Sequence, residues 1–431
     1  MQLLPENGDE NPKSWDSWWN PTVFGASITS GLADLSYETA NVILPGFLAA
    51  LGLSPSVLGT VEGIADGIAS FTKIAAGYLA DRIGRPKPLV VLGYSLTVVG
   101  QAVMAVASAW GVILLGRAVG WLGRGIRGPL RDAIVSGAIP PDQRGRAFGF
   151  HRAADTLGAV VGPALGAAAI PLLTQYVGER RWAPVAAFQI AMGLTVIPGV
   201  LAVLSFALLV RDAGSRPNLN LRFHRAVASL PRPFQGYLIA VGLFGLGDFA
   251  PTLLILAATQ ALHRHLDLGT AAAFAGGLYV LRNVFQATVS FPIGALADRI
   301  GHHVLLVSGY AAGAATMLLL VLVFTLPVLS AVPAATVAVL IAVFALAGIY
   351  MAAQDALEPV ITAALVPAEI KTTGFGVLGA VNGLGDLGSS ILVGSLWTHV
   401  SPQTAFGAAG LLMFAGAIVL ATLSSPTTLR E

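Results

Sequence analysis

Gly77-Tyr-Leu-Ala-Asp81-Arg82-Ile-Gly84-Arg85-Pro-Lys87 closes one long apolar run, and Gly294-Ala-Leu-Ala-Asp298-Arg299-Ile-Gly301 closes another far downstream. Other pairs keep the same order. Gly31-Leu-Ala-Asp34 returns as Gly245-Leu-Gly-Asp248, Phe148-Gly149 as Phe375-Gly376, and Asp155-Thr-Leu-Gly158 as Asn382-Gly-Leu-Gly385. Ordered repeats of this kind are the mark of a bundle duplicated within one chain, a common construction among membrane transport folds.

Composition says what solvent the bundle sees. Hydrophobic residues make up 55% of the 431 positions and charged residues 11%, with a mean hydropathy of +0.77, whereas soluble domains carry roughly 25% charged residues. One crossing needs ~20 apolar residues. Apolar runs begin near Phe24, Val57, Pro88, Gly111, Ala147 and Pro184, and again near Gly236, Thr270, Val304, Ala334, Gly374 and Ala405. The reading is an all-α membrane protein with twelve transmembrane helices in two pseudo-symmetric six-helix bundles. Residues 1–23 form a polar N-terminal segment, 24–210 the first bundle, 211–235 a linker, 236–424 the second bundle and 425–431 a tail.

Basic residues orient it. Arg82, Arg85, Lys87, Arg144, Arg146, Arg211, Arg216, Arg222, Arg225, Arg232, Arg299 and Lys371 fall in loops on one side, against Arg180, Arg181 and Arg264 on the other. Positive loops stay inside, so both termini and the linker are expected in the cytoplasm of a cell that carries this multi-pass chain in its inner, or plasma, membrane. The acidic start, with Glu6, Asp9, Glu10 and Asp16, lacks the features of a signal peptide. Trp15, Trp18 and Trp19 suit either an interfacial segment or a solvated tail. With no cysteine, disulfides and thiolate chemistry are excluded. A net charge of +2 gives no reason to expect nucleic acid.

Charge within the spans is the functional signal. A charge at the bilayer centre costs roughly 2.5–3.5 kcal/mol on insertion scales, so charged helices should face protein or water. The third, sixth, ninth and twelfth runs, which carry no charge, should face lipid. On the second helix Glu62, Asp66 and Lys73 recur on one face, Asp34 and Glu38 are neighbours one turn apart on the first, and Arg117, Arg124 and Arg131 fall every seven residues on the fourth, with Arg127 beside them. These groups, with Asp155, Asp248 and Arg282, are candidates for a proton and substrate pathway; the competing reading is structural ion pairing. Arg124, Arg127 and Arg131 lie near the basic end, where pairing with loop carboxylates would gate access. The second half reads as poorer in such groups.

The stretch from Gly77 to Lys87 resembles the signature between helices two and three of the major facilitator superfamily, and the resemblance extends from Phe24 to Ser424. It implies a cytoplasmic gate of Gly77, Asp81, Arg82, Gly84, Arg85, Arg124, Arg127, Arg131 and Asp132, repeated with Gly294, Asp298 and Arg299. His302 and His303 replace the basic pair in the repeat and imply a weaker latch. Gly149, Gly158, Gly162, Pro163 and Gly166 are similar to the antiporter signature of that superfamily's drug and proton exchangers, with Ala167 where a final glycine would stand. Small residues and a proline would make the fifth helix thin where the halves slide. Asp34-Leu-Ser-Tyr-Glu38, Glu62-Gly-Ile-Ala-Asp66 and Gly123-Arg-Gly-Ile-Arg127 look like a bacterial branch of exporters. The implied activity is proton-coupled efflux of a small molecule by alternating access through a site lined by helices one, four, seven and ten. Uptake of an organic anion with protons is the alternative, and a receptor that moves nothing is the reading from another class.

Several local patterns lead elsewhere and are set aside. Gly123-Arg-Gly125-Ile-Arg-Gly128 spells a nucleotide fingerprint with no strand before it. There is no phosphate-binding P-loop sequence and no Gly-x-Ser-x-Gly. His263, His265 and Asp267 read as a solvated turn rather than a metal site, and His151, next to Arg152 and near Asp155, is a minor candidate for a proton relay. The chain is expected to be no enzyme, to need no cofactor or metal, and to work as a monomer with lipid, protons and a small-molecule substrate as its partners.

Overall fold

A computed structural model describes residues 19–83, 86–138, 144–183, 185–211, 230–366 and 371–423. The first half contains α1 (Pro21–Ala50), α2 (Pro55–Ile83), α3 (Lys87–Ala105), α4 (Trp110–Gly137), α5 (Arg144–Glu179), α6 (Val185–Leu194) and α7 (Val196–Leu209). The second contains α8 (Arg232–Gly245), α9 (Pro251–His263), α10 (Leu268–Ile300), α11 (His302–Thr325), α12 (Pro327–Ala331), α13 (Pro333–Leu365), α14 (Lys371–His399) and α15 (Pro402–Thr422). Among the described residues seven stretches are long and apolar enough to cross a bilayer: α3, α5 from Ala153, α6 with α7, α11, α13 to Thr362, α14 from Gly374, and α15. The other long helices carry the interior charges or polar groups of α1, α2, α4 and α10, which lower their apolarity.

The helix ends follow from local chemistry. Asn20 caps α1 by accepting from the amides of Thr22 and Val23, and its own amide donates to the Ala138 carbonyl at 2.9 Å. Lys87 donates to the carbonyls of Ala207 and Val210 at the end of α7, at 2.9 and 2.6 Å, which places a cation where the helix dipole is negative. Asp267 caps α10 by accepting from Thr270, and those hydrogen bonds hold its carboxyl below the usual carboxylate range. Its stabilisation is therefore complete above the carboxyl's unfolded value and fades as the pH falls through the lowered one.

Two spans are not continuous. The run expected to start near Gly236 is interrupted between α8 and α9, at residues 246–250. In lipid each freed backbone group needs a partner, and α14 provides two: Ser390 Oγ accepts from the Ala250 amide at 3.0 Å, and Ser389 Oγ donates to the Asp248 carbonyl at 2.8 Å. At the junction of α6 and α7, Ser36 Oγ donates to the Thr195 carbonyl at 2.7 Å.

Small residues set the helix contacts. α5 lies along α1, with Gly158 against the backbone of Gly31 and Leu35, Gly162 against Leu35, and Gly166 against Thr39. The thin face of α5, expected at the moving seam, thus packs inside its own half. The seam itself has two strips. In one, Gly59 and Gly63 of α2 meet Ser390 and Leu387 of α14; in the other, Gly276 of α10 meets Ala167 of α5, and Asn283 Nδ2 donates to the Ala159 carbonyl at 2.8 Å. Both strips sit toward the end that holds the 51–54 and 400–401 turns, where the Ser56 amide donates to Thr398 Oγ1 at 2.8 Å.

The charge-free helices turn apolar side chains outward at helical spacing, with Ile197, Leu201, Leu204 and Leu208 on α7 and Leu411, Phe414 and Ile418 on α15; Leu208 is 77% exposed and Leu411 72%. That is the surface a lipid-facing helix presents.

A Cβ at position 158 would strike the backbone of α1, whereas one at Gly407 would meet nothing within 4 Å. Gly158→Ala should destabilise the protein by about 1–3 kcal/mol, and Gly407→Ala should be neutral or stabilise it by up to about 1 kcal/mol. Unfolding of the two variants in detergent, side by side, checks both.

Candidate functional site

Below the two strips the halves part around a cavity of about 680 Å³. α1 contributes Asp34, Tyr37 and Glu38, α2 contributes Asp66, and α4 contributes Arg124. Asp155 comes from α5, Asp248 from the break between α8 and α9, Tyr279, Arg282 and Asn283 from α10, Tyr350 and Asp355 from α13, and Asp386 from α14. The lining is wider than helices one, four, seven and ten: α2, α5, α10 and α14 also reach it. Among the described residues, α11 is the charge-free helix that reaches it, through Met317.

Behind this wall runs a buried chain of polar groups. Arg117 donates to Glu62 at 2.8 Å and to Asn41 Oδ1 at 2.7 Å, and lies over the Trp121 ring at 3.5 Å from its centroid. Both charged partners are 1% exposed. Asn41 donates to Glu38 Oε2 at 3.3 Å, and the same oxygen accepts from Tyr279 at 2.9 Å. Four helices, α2, α4, α1 and α10, are tied in one sequence that crosses from the first half to the second. Asp66 accepts from Trp121 Nε1 at 2.6 Å.

The helix-four arginines separate by depth. Arg124 donates to the Tyr37 hydroxyl at 2.6 Å and faces the cavity, though its place in the sequence suggested the gate. Arg127 is buried over the Tyr94 ring, 4.4 Å from its centroid. Arg131 donates to Ser30 Oγ at 2.8 Å, and Ser30 passes a hydrogen bond to Asp155 Oδ1 at 2.5 Å. Asp132, expected as a partner of the loop, pairs with Arg131 at 2.9 Å. Lys73 is exposed and does not line the cavity. Arg282 donates to Asn283 at 2.9 Å. Gly84 and Arg85 lie outside the described residues, as do the side chains at Gly77, Asp81, Arg82, Gly149 and Asp298. At the repeat of that loop, Gly294 faces open space and Arg299 is exposed.

One buried acid was not expected. Glu358 on α13 is 2% exposed and accepts from Tyr310 at 2.8 Å and from Asn382 Nδ2 at 2.8 Å. The signal was present as Gln354-Asp355-Ala-Leu-Glu358-Pro359 inside an otherwise apolar run, and Asp355 accepts from Gln286 of α10 at 2.6 Å.

The comparison with known proteins agrees with this architecture. The Major Facilitator Superfamily profile matches residues 26–277 and 237–431, and the chain belongs to that family of multi-pass membrane transporters. It is 28% identical, over 94% of its length and 95% of the other's, to an uncharacterised MFS-type transporter of Methanocaldococcus jannaschii. Over 28% of this chain and 30% of the relative it is 33% identical to the multidrug resistance protein MdtH of Cronobacter sakazakii. The crystal structure of the nucleoside transporter NupG superposes with a TM-score of 0.73 over 93% of this chain and 98% of that one, at 13% identity, which is a likeness of fold.

Removing one member of a buried ion pair strands the other, at a cost of about 3–5 kcal/mol, whereas replacing both often costs little. Arg117→Met should show that loss and Arg117→Met with Glu62→Gln should recover most of it. Denaturant unfolding of the four forms of this double-mutant cycle is the check.

Proposed function

We propose that the chain exports a cationic small molecule in exchange for protons, by alternating access across twelve helices, as a monomer in the cytoplasmic membrane with its basic end inside. The observation that carries the reading is the cavity's charge. Among the described residues, seven carboxylates, Asp34, Glu38, Asp66, Asp155, Asp248, Asp355 and Asp386, face it, with Arg124 and Arg282 as the cations of its lining. Walls of low dielectric strengthen such a field. Acids that hold a proton in one state and a cation in another give an exchanger, provided the proton binds the two conformations unequally.

Asp34 and Glu62 are the carboxylates assigned to the proton. Asp34 faces the cavity directly, and Glu62 reaches it through Arg117, Asn41 and Glu38. The partial similarity to MdtH supports efflux, as does the antiporter-like spacing on α5. Among the described residues, the closest glycine contacts with backbone across the seam lie toward the end that holds the 51–54 and 400–401 turns, which supports a form open toward the basic end. Arg124 and Arg282 favour the second reading, uptake of an organic anion.

In proteoliposomes an imposed proton gradient is expected to drive ethidium across the membrane. Asp34→Asn and Glu62→Gln should still exchange ethidium for ethidium but lose the response to the gradient. Full gradient-driven flux in both variants rejects the assignment. Counterflow of benzoate in place of ethidium, with opposed gradients, identifies the anion reading.

A further inference from the structure

The second half holds a buried acid in a setting unlike that of its counterpart in the first. The sequence offset that relates Asp155 to Asn382 (382 − 155 = 227) also relates Arg131 to Glu358 (358 − 131 = 227). In the first half the pair is a cation and an anion joined through Ser30. In the second half the cation's place is taken by an acid and the anion's place by a neutral amide. Glu358 is 2% exposed and makes no ion pair with Lys, Arg or His among the described residues.

Among the described residues, the groups that approach it are neutral or acidic. From α11 comes the Tyr310 hydroxyl at 2.8 Å, its ring stacked on Phe244 with centroids 3.8 Å apart; from α14 comes Asn382; from α8 Tyr237 donates to the Glu358 carbonyl at 3.4 Å. Asp355 lies on its own helix, and Asp248 at the break of α8 and α9 adds a second negative group. A lone carboxylate so enclosed is costly unless its charge is removed. A proton removes it.

The Asn382 amide is built for both outcomes. Its nitrogen now donates to Glu358 Oε2, while its oxygen is buried with no partner among the described residues. Turned over, that oxygen would accept from a protonated Glu358, and the turn would break no other hydrogen bond of the amide oxygen. Asn382 belongs to α14, and its neighbour Gly383 meets Ser70 of α2 across the seam, so a change at the amide lies next to the contact between the halves.

We propose that Glu358 is a proton-binding site of the second half, with Asn382 as the amide that reorients as the proton comes and goes. The site adds to Asp34 and Glu62 and holds whichever direction transport takes.

Infrared difference spectra of the purified full chain, acid minus alkaline, read it without any flux. A protonated-carboxyl C=O band is expected that Glu358→Gln removes and that Asp34→Asn with Glu62→Gln leaves in place. A spectrum unchanged by Glu358→Gln overturns the proposal. Tyr310→Phe keeps the acid and covers the case in which Glu358→Gln does not fold. It deletes a donor to the carboxylate, so the band's midpoint should move to higher pH by roughly one unit, the equivalent of about 1.4 kcal/mol. Asn382→Ala removes the amide in both orientations, so the amide C=O difference band that reports its turn should vanish while the carboxyl band stays. A midpoint unmoved in Tyr310→Phe contradicts the proposal. Loss of gradient-driven ethidium flux in Asp34→Asn and Glu62→Gln with this band intact would separate the two sites.

Discussion

Hydrocarbon supplies no partner for a charge or a free backbone group, and the arrangement of this protein follows from that constraint. Arg117 and Glu62 meet at 2.8 Å with 1% exposure because neither can face acyl tails or stand alone inside. The same constraint places Ser389 and Ser390 at the break between α8 and α9 and Ser36 at the junction of α6 and α7. The polar inventory is drawn to the seam between the halves, and the helices without charge are left to meet lipid.

The seam has a mechanical consequence. Two strips of small residues, α2 on α14 and α5 on α10, hold the halves together toward one end and leave the acidic cavity below them. In the α2–α14 strip the glycines meet backbone, and such contacts are shallow and carry few interlocking side chains, so they suit surfaces that separate and close again. The hydrogen bond from Tyr279 to Glu38 crosses the same seam at the cavity wall, where the state of an acid and the contact between the halves bear on each other.

Much of this was legible in the chain. The repeated Gly-x-x-Ala-Asp-Arg-Ile-Gly loop and the spacing of Asp34, Glu62, Asp66 and Arg117 led to the duplicated fold and to the residues near its centre. Four features were not legible. Spacing gives the face of α5 that carries its glycines, but not that this face packs against α1 of the same half. Arg124 sits on the same helix face as Arg131, and only tertiary packing shows that one meets Tyr37 at the cavity while the other meets Ser30 and Asp132. Glu358 was passed over because two acids three residues apart in a long apolar run still leave the average hydropathy high. The break after Gly245 was hidden for a related reason: its freed groups are satisfied by serines 140 and 141 positions away.

Reciprocal motion of the two ends is the central claim, and the absence of native cysteine allows it to be measured with paired spin labels. One pair, Glu179→Cys with His265→Cys, reports the end where the strips close; the other, Asp132→Cys with Arg299→Cys, reports the basic end. On adding ethidium or lowering the pH, the first distance is predicted to lengthen as the second shortens. Distances that stay fixed, or that lengthen together, would contradict a transporter whose halves rock about an acidic cavity.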